Sequence, residues 1–220
     1  LKMPEKALLL FTRPRLTPLT FGAFALTAET LVGGILVIAN VLRPRWATGP
    51  VKAALEIICV ITSLAVMTYT AIYLSAQKAV ALWDSPWLVP LFLCSSTSAG
   101  ISTVLLCNWF VEGKTLLLRA ARPLQATHLV ILAAEAISLA AYCFSITAAT
   151  PEERSLALFS DPVLLQTLLF GTVGMGIAVP FALESYTLAR RPWRAIPVSD
   201  VVCLIGGFCL RWCLIMGGTH

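Results

Sequence analysis

The sequence predicts an all-α membrane protein, a bundle of about six transmembrane helices forming a single transmembrane helical domain over residues 1–220. Two observations carry this. Of the 220 residues, 58% are hydrophobic and only 12% are charged, whereas a soluble domain carries about 25% charged residues. A soluble core of this length could not keep so much apolar surface from water. The apolar residues also fall in continuous runs of about 20, the length of a bilayer-crossing helix, rather than in the alternating segments of about ten that a β-barrel requires. In lipid each such helix satisfies its own backbone polar groups.

Residues 1–15 read as a short amphipathic or loop segment. The first span is expected at 17–42, stopped by Arg43-Pro-Arg45, and the second at 51–77. The third is expected at 87–111 and the fourth at 127–149, followed by the polar loop Pro151-Glu-Glu-Arg154. The fifth is expected at 164–188 and the sixth at 197–217. Pro180 lies inside the fifth and is expected to kink it, which a bundle tolerates. Trp46, Trp83, Trp87, Trp109 and Trp193 fall near span ends, where amphipathic rings favour the membrane interface. No internal repeat is evident.

The net charge of +5 sits in short clusters between the apolar runs: Lys2, Lys6, Arg13 and Arg15; Arg43 and Arg45; Lys114, Arg119 and Arg122; Arg190, Arg191 and Arg194. This is the pattern of membrane loops, not of a nucleic-acid surface. With Lys52, the side holding the last three clusters carries nine basic residues against six on the other, counting Lys78 and Arg154. That favours the first side as cytoplasmic, while the N-terminal cluster opposes it, so orientation stays open. No secretory cleavage site follows the first run. The chain begins at Leu1 rather than Met, and the expectation is a piece of a longer protein. Seven cysteines (59, 94, 107, 143, 203, 209 and 213) form no CxxC pair and are expected as small buried apolar side chains, not metal or cluster ligands.

Ionisable groups inside spans are costly and usually face the bundle interior. Here they are Glu29, Glu56, Glu135, Glu184, Asp200 and Arg211. On the fourth span His128, Glu135 and Tyr142 are spaced seven apart, nearly two turns, and share one face with Ser138 and Ser145. With Glu56 and Glu184 they are candidates for a proton path; the alternative is a set of interhelical hydrogen bonds. On the second span Tyr69 and Tyr73 are i, i+4 neighbours, with Thr62 and Thr70 close by. A buried tyrosine can donate a hydrogen bond to a quinone carbonyl, although Tyr73, near the span end, reads more readily as an interface anchor. Asp200 and Arg211 share a face but lie about 16 Å apart along the axis. They are candidates for charge pairing, with Glu184 one acid that Arg211 could find; otherwise Arg211 snorkels to the nearer surface. The only histidines are His128 and His220, so the spans cannot supply a bis-His haem site. No P-loop, nucleophile elbow or zinc signature is present, and neither a catalytic residue nor a metal site is expected in this chain.

Several stretches resemble the NrfD/PsrC-type polysulfide reductase membrane-anchor subunits. Arg13-Pro-Arg-Leu-Thr-Pro-Leu-Thr-Phe-Gly22 is similar to the opening of a middle helix in that family. Tyr69-Thr70-Ala71, Trp83-Asp-Ser-Pro86 and Pro90-Leu-Phe-Leu-Cys-Ser-Ser96 resemble its "YTG … W-x-S-P … P-x-x-F-x-x-S" region, with Gly100 after it. Gly206-Gly-Phe-Cys-Leu-Arg211, with Gly217 beyond, is similar to its closing "GGxxLR … G" helix. The matches run in order along nearly the whole chain. Ala71 stands where the family usually has glycine, and Glu29, Glu56 and Glu135 match no family motif. The family usually has about eight or more spans of bilayer-crossing length, so the six seen here imply either a fragment lacking two N-terminal helices or an incomplete quinone pocket.

The resemblance implies a haem-free membrane subunit of a respiratory oxidoreductase. It would exchange electrons and protons between the quinone pool (menaquinone or ubiquinone) and a peripheral iron–sulfur subunit. That partner relays to a molybdopterin or multihaem catalytic subunit, and the membrane is the cytoplasmic (inner) membrane of a bacterium or archaeon. Tyr69 matches the tyrosine associated with the quinone pocket, and Arg211 matches the closing-helix arginine. Two other readings stand beside it: a small-solute transporter or permease, and a structural membrane anchor without a quinone site. A transporter would be expected to show internal repeats or paired interrupted helices.

Overall fold

A computed structural model of the protein describes residues 17–42, 49–78, 80, 82–112, 118–148, 161–189 and 197–218, with the side chains of 108–112 and 118–121 left aside. The described residues are helical, with no strand, and six helices are long and apolar enough to cross a bilayer. They are α1 (Pro18–Leu42), α2 (Pro50–Ser75), α3 (Leu88–Glu112) and α4 (Leu118–Ala148). The fifth span is composite: α5 (Pro162–Gln166), a π-helical segment π1 (Thr167–Ala178) and α6 (Val179–Ala189). The sixth is α7 (Pro197–Gly217). The residue 1–15 segment, the Pro151–Arg154 loop, most of the basic clusters, Trp46, Trp193 and His220 lie outside the described residues, as does the Trp109 side chain.

Four helices begin with proline at their first position: Pro18, Pro50, Pro162 and Pro197. Proline suits that place because its missing N–H has no intrahelical partner there and its φ is already helical. Thr17 and Asp161 cap two of these starts, accepting from Thr20 N at 3.3 Å and Val163 N at 2.8 Å. Gly49 precedes Pro50 with φ 62°, a conformation glycine adopts without strain.

The expected spans agree with the helices within a few residues, except the fourth. That helix starts at Leu118, nine residues before 127, while its membrane-length apolar part begins at Arg122. Hydropathy marks where lipid begins. The Leu, Arg and Ala residues before it still favour helix, and Pro123 lies inside the helix. Near Pro180 the fifth span changes register from π to α, at Ala178–Val179. Thr167, at the start of π1, donates to Val163 O at 2.8 Å. Thr172, inside π1, is buried with no partner for its hydroxyl among the described residues.

The chain divides into two compact units, residues 1–76 and 77–220. In the first, α1 and α2 pack antiparallel: Gly22 meets Tyr69 near one end and Glu29 meets Thr62 and Ser63 further along. The second is a bundle of four antiparallel spans. Leu88, Leu91, Leu132, Tyr142, Leu210 and Leu214 form its fully buried core. Phe144 and Phe170, 74% and 73% exposed, point outward, which lipid tolerates and water would not. Ahead of α3, Trp83 donates from Nε1 to Leu214 O at 2.9 Å, and its indole covers Gly218. Ser85 and Ser145 join at 2.8 Å, and Tyr142 donates to Leu82 O at 2.8 Å.

The closest approach in the second unit is between π1 and α7. A Cβ on Gly176 would lie 3.0 Å from Gly206 Cα, and one on Gly206 would overlap the Gly176 backbone. Gly171 similarly makes room for Cys209, whose Sγ would be 2.8 Å from an added Cβ. Small residues let membrane helices meet backbone to backbone, where dispersion is the main attraction. Gly206→Ala is expected to lower stability by about 1–3 kcal/mol, the usual penalty of overpacking. Gly100→Ala, with nothing within 4 Å of the added carbon, should leave it unchanged or slightly raised. Unfolding in mixed micelles measures both, and equal effects would refute the assigned contact.

Candidate functional site

The polar side chains of the second unit form a buried series along one interior. It begins where α4, α6 and α7 meet. His128 is fully buried, and its Nδ1 lies 2.7 Å from Glu184 Oε1, itself only 1% exposed. With Nδ1–H donating to Glu184, Nε2 faces the hydroxyls of Ser98 at 3.0 Å and Ser102 at 3.3 Å. Cys203 Sγ is 3.8 Å from the same nitrogen and 3.2 Å from Ser98 Oγ. A neutral imidazole accepts from these hydroxyls and an imidazolium donates to them, so the surroundings serve both forms.

Glu184 also accepts from Ser199 Oγ at 3.3 Å, while its second oxygen, Oε2, has no hydrogen-bond partner among the described residues. Asp200, buried beside Ser199, interacts electrostatically with both Glu184 and His128. One turn outward, Gln125 donates to Thr187 at 3.0 Å, and Thr187 donates to Glu184 O at 2.9 Å. In the other direction, Glu135 lies two turns along α4, about 10 Å from His128. It is buried beside Ser95 and Ser98 and within electrostatic reach of His128 and Arg211. The Ser95 hydroxyl has no hydrogen-bond partner among the described residues.

Arg211 ends the series. It donates from Nη1 to Gly207 O at 2.8 Å and from Nη2 to Ser96 Oγ at 2.9 Å, and it lies over the Phe92 ring at 5.9 Å. This arrangement explains the Gly206-Gly207 pair physically. Gly206 admits π1, and Gly207, whose added Cβ would be 3.3 Å from Arg211 Nη1, leaves space for the guanidinium. Phe92 and Ser96 come from the third span and Arg211 from the sixth, so two of the stretches that carry the resemblance meet here.

The expected residues are thus placed unequally. His128, Glu135 and Glu184 belong to one buried series. Tyr142 shares their face, but its hydroxyl is committed to Leu82 O, bracing the segment before α3. Glu56 is exposed on α2 and pairs at 3.8 Å with Lys52, one turn earlier. The acid offered to Arg211, Glu184, is taken by His128 instead, and Arg211 is held by a serine and a carbonyl. A serine costs less to bury than a second charge and still satisfies the guanidinium's donors. Asp200 pairs with no base among the described residues. Tyr69 and Tyr73, in the first unit, are half-buried, and the Tyr69 ring lies against Gly22, where any side chain would overlap it.

Ser98, Ser102, Ser199 and Cys203 were not foreseen as partners. Ser95, Ser98 and Ser102 are spaced three and four apart on α3, a polar stripe on one face, and that spacing was the available signal. Of the cysteines, Cys203 and Cys213 are buried and Cys107 is exposed. No group of three or more His, Cys, Asp or Glu residues converges as metal ligands among the described residues.

The family model described as polysulphide reductase, NrfD, matches residues 9–220. No curated protein and no solved structure matches the chain. The match extends over all six spans and over both ends of the buried polar series, and the chain belongs to the polysulphide reductase NrfD family as a multi-pass membrane protein.

Proposed function

We propose that this chain is the quinone-reactive membrane subunit of a respiratory oxidoreductase complex in the cytoplasmic membrane of a bacterium or archaeon. It exchanges electrons and protons between the quinone pool and a peripheral iron–sulfur subunit, which in turn serves a molybdopterin or multihaem catalytic subunit. Family membership supports a respiratory membrane anchor. The observation that carries the finer reading is the buried series from Asp200 and Glu184 through His128 and Ser98 to Glu135 and Arg211. Purely structural glue needs hydroxyls and amides, not three buried carboxyls and an imidazole.

A bound quinol supplies two electrons and two protons together. The residues of this chain fit the headgroup's needs at Tyr69. Its ring packs in the space left by Gly22, and a phenol hydroxyl is a donor for a carbonyl oxygen. Tyr73, one turn on, lies on the same face. In the second unit His128 is built to hold and pass a proton. Nδ1 is oriented by Glu184, and Nε2 meets hydroxyls that can act as donor or acceptor. Glu184 Oε2 is an open acceptor, and Glu135 continues the route on the same face of α4.

Tyr69→Phe is expected to abolish quinol oxidation by the assembled complex while leaving its assembly intact; unchanged turnover would remove Tyr69 from the site. Glu184→Gln keeps the shape beside His128 but removes the ionisable group. Quinol turnover and the accompanying proton release should both fall about a hundredfold. If turnover persists and only thermal stability drops, the series is interhelical bonding and the proton-path reading fails.

A further inference from the structure

The first unit holds an ionisable group that the proposed function does not use. Glu29, midway along α1, is the only charged residue in that helix. Among the described residues its hydrogen-bond partners all come from α2: Thr62 donates to Oε2, Ser63 donates to Oε1 at 2.7 Å, and Cys59 Sγ lies 3.7 Å from Oε1. No basic side chain pairs with it among the described residues. Lys52, the one base described in this unit, is engaged by Glu56. Glu29 is therefore not half of a visible structural ion pair, and a carboxylate on a membrane span is too costly to keep as packing.

We propose that Glu29 is a proton-exchanging carboxyl, taking up and returning one proton within the α1–α2 pair, with Thr62 partnering both of its forms. The ionised form is met by three donors. The neutral form needs an acceptor for its O–H, and Thr62 can become one. Its Oγ1 lies 3.1 Å from both Ile58 O and Cys59 O, so its hydrogen can turn to either carbonyl and leave the oxygen to accept from Glu29. A proton can then leave or return without stranding a polar group.

The other titratable groups packed here are few. Cys59 faces Glu29 directly, and Glu56 with its partner Lys52 lies about one turn further toward the start of α2. Glu29 lies on the same α1–α2 interface as Tyr69, seven residues beyond Gly22 and about 10 Å along the axis. The proposal does not rest on the quinone reading, because its test reads chemical labelling rather than turnover.

Native membranes carrying the whole complex are treated with dicyclohexylcarbodiimide, which attacks protonated carboxyls in apolar surroundings. The acid proton passes to a carbodiimide nitrogen and the carboxyl oxygen bonds to the central carbon. An acyl shift then leaves the whole reagent attached, readable by peptide mass. Glu29 should be labelled, with a rate falling about tenfold per pH unit above its midpoint. Glu29→Gln should abolish the label at that peptide. Thr62→Ser should keep the profile, and Thr62→Val should shift it by about one pH unit or more, tenfold in rate at fixed pH. The proposal is overturned by no labelling of Glu29 between roughly pH 5 and 9, or by an unchanged profile in Thr62→Val. Slowing by sodium at constant pH would also overturn it, assigning the carboxyl to an alkali cation. If Thr62→Val does not accumulate, the wild-type pH profile and the sodium arm still decide.

Discussion

The hydrocarbon layer offers no hydrogen bonds, and this one constraint organises the chain. A polar side chain on a spanning helix must find its partner on a neighbouring helix or on its own backbone. Several threonines take the second course. Thr27, Thr30, Thr68 and Thr103 each donate to the carbonyl four residues earlier, at 2.7–2.8 Å. The carboxyls and the imidazole cannot, because one carbonyl does not satisfy them. They gather instead, in the first unit around Glu29 and in the second around His128 and Glu184. The His128–Glu184 contact is the centre of the larger group, since it joins α4 to α6 and both residues then recruit hydroxyls from α3 and α7. Removing one partner of such a buried pair costs about 3–5 kcal/mol, so this grouping shapes the bundle as well as any chemistry it performs.

The same constraint explains why glycines, rather than large apolar residues, mark the tightest packing. Lipid is as apolar as leucine, so burying leucine between helices gains little, whereas close backbone approach gains dispersion. The π1–α7 crossing at Gly176 and Gly206 uses this directly. It also positions Gly207 one residue on, where the missing side chain admits the Arg211 guanidinium. One pair of glycines thus serves packing on one side of α7 and charge accommodation on the other.

Span number and type were legible because hydropathy is a sum over about 20 residues and tolerates local error. The start of α4 was not, because Leu118–Arg122 is helical without being lipophilic. The π register of residues 167–178 left no sequence mark that periodicity could separate from an α-helix, apart from its glycines and nearby Pro180. In the candidate site, the face shared by His128 and Glu135 follows from arithmetic on one helix. Which acid meets His128 does not, because Glu184 and Arg211 lie on different helices and the choice depends on their rotation. Tyr142 shows the limit of face arguments. It occupies the correct stripe, yet its hydroxyl is spent on Leu82 O.

The two polar groups differ in a way that bears on what each can do. Around His128 every partner is deeply buried, and the one open acceptor is Glu184 Oε2. Its buried neighbours are Asp200 on one side and Ser98 and Glu135 on the other. Around Glu29 the partners are half-exposed hydroxyl and thiol groups from a single neighbouring helix, with backbone carbonyls of Ile58 and Cys59 as alternative acceptors. That group needs no relay to change its protonation, only rotation of one hydroxyl.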